Sequence, residues 1–238
     1  MARHALLTVP LLVVVAACSQ RVYSPPSQTF ALGGIRSLDY GQSALDLEVS
    51  SHSQIFDPAI VALDGRWHTG IGDNAEASVE GTAHRVDDNG PSMADRTFYS
   101  GRAGLRVNPG KSGATFFAGA GGGYAGAGGG FASADSGIAI GYDNCTVVPV
   151  LQGSAFISQP LDARPIDVSD GDSDRTDTPE RTVGVVVRGG LRFSLSPSRC
   201  RAGEQVPWLT LGFGSTTVAD TEDSATLMGA GLGIQIPL

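Results

Sequence analysis

Met228-Gly229-Ala230-Gly231-Leu232-Gly233-Ile234-Gln235-Ile236-Pro237-Leu238 is the stretch whose reading decides the fold. Met228, Ala230, Leu232, Ile234, Ile236 and Leu238 fall on one face of an extended chain, and Gly229, Gly231, Gly233 and Gln235 on the other. A period of two with one apolar face reads as a strand. Upstream the same pattern returns: Val183, Val185, Val187, Leu191 and Phe193 oppose Arg188, Arg192 and Ser194.

Ten such stretches are expected, near 40–51, 59–70, 75–86, 96–107, 113–124, 131–142, 146–158, 181–194, 206–218 and 225–238. Turn chemistry separates them at Gly72-Asp73-Asn74, Asp88-Asn89-Gly90-Pro91, Asn108-Pro109-Gly110, Asp143-Asn144 and around Ser196-Pro197. Following the alternation sorts nearly every charged strand residue onto one face: Asp46, Glu48, Asp64, Arg66, His68, Glu76, Glu80, His84, Arg102, Arg106, Asp135, Arg188 and Arg192. The opposite face carries Leu45, Leu47, Val49, Leu63, Trp67, Tyr99, Leu105, Val107, Phe116, Tyr124, Ile138, Ile140, Leu209, Leu211 and Phe213. Two-faced strands need one apolar environment, and alternation alone fits a core as well as a bilayer.

Length and charge balance favour lipid. The stretches exceed the usual strand of about 5–6 residues and reach the ~9–11 that cross a membrane. Acidic and basic groups on the polar face nearly balance, as an internally paired lumen requires. The end, Gly233-Ile234-Gln235-Ile236-Pro237-Leu238, resembles the final-strand signal of outer-membrane barrels, departing from it by closing on Leu238 rather than an aromatic residue and by containing Pro237. Phe116-Phe117-Ala118-Gly119-Ala120-Gly121-Gly122-Gly123-Tyr124 and Val206-Pro207-Trp208-Leu209-Thr210-Leu211-Gly212-Phe213-Gly214 are similar to strands of small outer-membrane barrels of the OmpA and OmpW type. The resemblance covers roughly 40–238 and implies fold and location, with no catalytic residue to carry over. The fold expected is all-β: an antiparallel up-and-down barrel of 8–10 strands, ten favoured, crossing the membrane.

The N-terminus supplies an address. Leu6 to Ala17 is apolar apart from Thr8 and Pro10, too short for a spanning helix of about 20 residues, and ends in Val15-Ala16-Ala17-Cys18-Ser19. Small residues before a cysteine resemble the lipobox of bacterial lipoprotein signal peptides. That resemblance implies cleavage before Cys18 and an N-acyl diglyceride (palmitate-type) modification there; Ser19, not Asp, implies sorting to the outer membrane of a Gram-negative cell. The boundaries expected are 1–17 signal peptide, 18–39 lipidated Cys18 with a flexible tether carrying Pro25-Pro26, and 40–238 barrel. An anchor at the inner leaflet and a periplasmic C-terminus require an even strand number. Short turns near 71–74, 108–112 and 143–145 then lie in the periplasm, and the longest connection, 159–180, outside.

Composition limits the partners. A formal charge of −8 and a single lysine, Lys111, argue against nucleic acid. With Cys18 modified, Cys145 and Cys200 remain as a candidate disulfide in an oxidising compartment. Gly110-Lys111-Ser112 lacks the glycine a phosphate loop needs at 105, where Leu stands. Gly121, Gly123 and Gly126 match G-x-G-x-x-G, but no helix follows them.

Asp167, Asp170, Asp172, Asp174 and Asp177 make the long connection acidic. Asp170, Asp172 and Asp174 are weak metal candidates, since Arg175 and Arg181 stand where a calcium loop needs Gly and Glu. A solvated loop is the plainer reading; divalent cations or lipopolysaccharide phosphates are the partners it would otherwise take. No cofactor and no enzymatic activity are expected.

If strands three and four pair about residue 91, Glu80 faces Arg102 and Glu76 faces Arg106; pairing about the 71–74 turn also sets Arg66 against Glu80. Arg66, Glu76, Glu80, Arg102, Arg106, Arg188 and Arg192 thus form an expected lumen network, either a polar plug or a gate. The function expected is a structural or surface-binding outer-membrane lipoprotein. One alternative reverses the faces: a lipid-anchored, lipocalin-like periplasmic barrel binding a hydrophobic ligand. Another is a lipid-modifying enzyme using His84 and Ser100.

Overall fold

The computed structural model describes residues 24–25, 32–35, 37–53, 59–87, 97–109, 113–169 and 174–238. The signal-peptide and lipidation expectations, with Cys18 itself, lie outside them, as does Gly110-Lys111-Ser112. The strands are β1 (Ser43–Ser53), β2 (Ala59–Gly72), β3 (Ala75–Asp87), β4 (Thr97–Val107), β5 (Ala114–Tyr124), β6 (Gly130–Gly141), β7 (Val147–Pro160), β8 (Ile166–Ser169), β9 (Asp174–Asp177), β10 (Thr182–Ser194), β11 (Trp208–Ala219) and β12 (Ser224–Pro237). Ten of them close into an antiparallel barrel in which each strand pairs with its sequence neighbour, β7 with β10, and β12 with β1. The hairpin β8–β9 stands apart. It lies within the 159–180 connection, where four-residue strands carry too little alternation to show in the sequence.

One end of the barrel holds the start of β1, the end of β12 and the β2–β3, β4–β5, β6–β7 and β10–β11 connections, the last with a short helix, α1 (Pro197–Arg201). This is the turn end. The other five connections, including the β8–β9 excursion, lie at the loop end.

Burial separates the two faces. Glu48, Asp64, Arg66, His68, Glu76, Arg102, Arg106, Asp135, Arg188 and Arg192 are buried inside, while Leu63, Val79, Leu105 and Phe213 are 56–68% exposed outside. The lipocalin-like alternative needs the apolar row inside and is therefore corrected: closure turns inward the row that carries Glu48, Asp64, Glu76, Arg102, Asp135 and Arg188 on β1, β2, β3, β4, β6 and β10.

A second correction concerns the stretch 18–39. Leu32, Gly33, Gly34 and Ile35 are buried, and Leu32 and Ile35 pack against the inward-facing Ala139, Val148 and Val150, with Trp208 alongside. These four residues are thus a filling of the lumen, not a tether outside it. The physical cause is an apolar patch on β6 and β7, near the turn end, that would otherwise line an empty interior. Two glycines let the segment pass between arginines: a Cβ on Gly33 would overlap the Arg106 guanidinium, and one on Gly34 that of Arg192.

Candidate functional site

The inward charges meet because the strand registers place them there. Glu80 faces Arg102 across β3–β4 and Arg66 across β2–β3, and Glu76 faces Arg106. Arg102 donates from Nη1 to Glu80 Oε1 (2.7 Å) and, through Nε and Nη2, to both oxygens of Asp135 (2.7 Å each). Asp135 lies on β6, two strands away, and the reach crosses the inward glycines of β5. A Cβ on Gly119 would overlap the Arg102 guanidinium. Gly119, two residues before the glycines that match a dinucleotide loop, is therefore the floor on which this side chain lies. Bidentate pairing of a guanidinium removed from water is the strong form of the interaction.

Arg66 departs from expectation. Although it faces Glu80, its guanidinium ion-pairs with Asp46, its opposite number on β1. Glu80 is therefore not held between two guanidinium groups by ion pairs; its ion pair is with Arg102. Glu76 likewise turns from Arg106 toward His68, whose Nδ1 is 2.9 Å from Glu76 Oε1 and whose Nε2 is 3.4 Å from Asp46 Oδ1. Gln235 Nε2 contacts His68 Nε2 at 3.1 Å, and Gln235 Oε1 accepts from Arg192 Nη2 at 2.7 Å. Arg192 also lies over the Trp208 ring, 5.3 Å from its centroid. Asp46, Arg66, His68, Glu76, Gln235 and Arg192 thus form one connected chain contributed by β10, β12, β1, β2 and β3. Asp46, His68, Asp135 and Gln235 were absent from the expected network. The signal for Asp46 was its register with Arg66, which needs the β1–β2 connection to be known.

The filling segment completes the site. Arg106 donates to the Gly34 carbonyl, and Asn108 Nδ2 to the Ile35 carbonyl at 2.6 Å; Thr115 Oγ1 donates to that same carbonyl. Leu32 N donates to Glu48 Oε2 at 3.3 Å. The wall's polar groups therefore satisfy the backbone of an irregular stretch that has no strand partner there. Arg188, buried on β10, belongs to the same interior.

Of the remaining sequence candidates, Cys145 and Cys200 are joined by a disulfide at the turn end, Cα–Cα 5.5 Å. Asp170 and Asp172 lie outside the described residues; Asp174 opens β9 opposite Ser169. Among the described residues no cluster of His, Cys, Asp and Glu suits a metal ion. His84 and Ser100 both point inward. The His84 ring lies against Phe98, centroids 5.4 Å apart, while Ser100 Oγ is buried with no hydrogen-bond partner among the described residues.

No protein-family model matches the chain, and no curated protein does. Among solved structures it is similar to the N-terminal β-barrel domain of Pseudomonas aeruginosa OprF, at 9% identity over 81% of this chain and 97% of that one, TM-score 0.36. It is also similar to Neisserial surface protein A, at 12% identity over 82% and 95%, TM-score 0.34. The β domain of the Bordetella autotransporter BrkA matches at 13% identity over 83% and 99%, TM-score 0.43.

Proposed function

We propose that the protein is an outer-membrane β-barrel lipoprotein with a structural or surface-binding role, its loop end outward and its lumen sealed. The observation that carries this reading is the outer surface of the barrel. Between Tyr99 and Tyr124 near the loop end and Trp67 and Phe116 near the turn end, no outward described side chain of the ten strands bears a charge. The first that does is Arg85, beyond the level at which Ala83 faces Tyr99. Strands of 11–14 residues, tilted as barrels require, give a band of roughly 25 Å or more, bounded by aromatic residues as bilayer-spanning barrels are. A water-facing barrel has no use for such a band, which exceeds the apolar patches soluble monomers expose.

The interior supports a scaffold more than a pore. Ten strands enclose little space beyond what side chains fill, and here a backbone segment occupies part of it. Binding would then fall to the loop end, where β8–β9 and the acidic connection lie. Cys18, with the lipobox-like residues before it, supplies the lipid attachment of this reading.

The test is extraction of a Cys18→Ser protein exported behind an ordinary secretory signal. It is expected to stay with the membranes through alkaline washing and to run at a different gel position before and after heating. Release into the soluble fraction without detergent would overturn the membrane-spanning reading. Mass spectrometry of the N-terminal peptide of the wild-type protein checks the lipid separately, and an unmodified Cys18 would remove it.

A further inference from the structure

The N-terminal segment touches both ends of the lumen. At the turn end, Ser37 Oγ donates to the Asn74 carbonyl at 3.3 Å, Leu38 N donates to Glu76 Oε2 at 3.2 Å, and Tyr40 bridges to Gly70 just before β1 begins. In the interior, Leu32 to Ile35 make the contacts described above. At the loop end, Ser24 N donates to Thr182 Oγ1 at 3.0 Å, the Ser24 and Ser158 hydroxyls are 2.8 Å apart, and Ser158 Oγ donates to the Pro25 carbonyl at 2.7 Å. Ser158 lies two residues from the loop end of β7 and Thr182 is the first residue of β10; both point inward, and both are fully buried. Chain order therefore runs opposite to β1: the segment enters at the loop end, descends, and turns into β1 at the turn end.

We propose that the N-terminal segment is threaded through the barrel, so that the chain preceding Ser24 emerges at the loop face and an acyl group on Cys18 enters the outer leaflet of the membrane. This rests on the outer-membrane lipoprotein reading above, and it moves the anchor from the inner leaflet, where sequence reasoning places it. Reach decides the side. The six residues from Cys18 to Ser24 span at most ~20 Å fully extended. From the level of Ser158 to the turn end of β7 is eleven residues, ~37 Å along the strand and about 28 Å along the barrel axis at the usual tilt. The lipid cannot return to the turn side. It does reach past the rim on the loop side, where the adjoining lipid is the outer leaflet. A barrel that needs no anchor to stay embedded thereby gains a different use for one: the acylated end holds the threaded segment in place from outside.

The test uses three full-length proteins, each with one short epitope: between Gln20 and Ser24, in the β11–β12 turn after Glu222, or at Gly203 in the turn-end connection. On intact cells the first two are expected to bind antibody comparably and the third only after permeabilisation. An N-terminal epitope reached only after permeabilisation, beside an accessible 222 epitope, overturns the threading and leaves the outer-membrane reading standing. A hidden 222 epitope overturns the outer-membrane reading and, with it, delivery to the outer leaflet. Because an insertion can disturb assembly, a Ser24→Cys/Ser158→Cys protein tests the threading by itself. Peptide mapping without reduction is expected to recover the 24–158 link in most molecules, and its absence in heat-modifiable, folded protein overturns the proposal.

Discussion

The barrel wall and the segment that fills it are built from opposite kinds of sequence. In the wall, alternation assigns every side chain to the outer face or the lumen, and ladder hydrogen bonds to two neighbouring strands satisfy the backbone. The filling has no period and no strand partner within the lumen. The carbonyls of Gly34 and Ile35 are instead met by Arg106, Asn108 and Thr115, side chains that belong to the wall. The wall therefore specifies the filling: its inward polar groups and its apolar patch at Ala139, Val148 and Val150 are complements of a particular backbone path. A charged lumen of this kind is a mould as much as a network of ion pairs.

Three substitutions probe that difference, ordered by the loss each should cause in the folded fraction over a denaturant series in detergent. Arg102→Ala strikes the wall where it is most interdependent, leaving Glu80 and Asp135 buried without their shared guanidinium. A loss of about 3–5 kcal/mol is expected; a midpoint unmoved from wild type would show that the charges are solvated. Leu63→Arg tests the other side of the same wall. A charge at that exposed mid-strand position should cost ~2–4 kcal/mol in a bilayer, and no loss in lipid vesicles would deny that this side meets hydrocarbon. Ile35→Val touches only the filling. Loss of one methylene from a buried side chain should cost about 0.5–1.5 kcal/mol, measured as a small shift of the same transition. An equally small effect from all three would erase the distinction between wall and filling.

What could be read from the sequence follows the same division. The ten barrel strands were legible to within a few residues because both faces of each carry a chemical label. The registers of β2, β3 and β4 were legible because the turn residues fix them: Glu80 does face Arg102 and Arg66. Final partners were not. Arg66 had a choice between Glu80 on one neighbour and Asp46 on the other, and only three-dimensional closure settles which carboxylate is nearer. Arg102 reaching Asp135 over Gly119 was illegible for a related reason, since a glycine in a strand does not announce what lies across it. The filling was missed altogether. Proline, polar residues and a Gly-Gly pair look the same whether a segment is solvated or is held by side chains distant in sequence.

The disulfide has a consequence for proteolysis. Cys145 lies two residues before β7 and Cys200 soon follows β10, 55 positions apart in sequence, so the covalent ring they close contains both strands and the whole β8–β9 excursion at the loop end. Residues 161–165 of that excursion are exposed. A protease can sever the backbone there without producing two molecules. The new ends remain on strands that pair with each other along their length, and the disulfide at the turn end keeps the pieces as one. An exposed loop is in this way one whose cutting the barrel is built to survive.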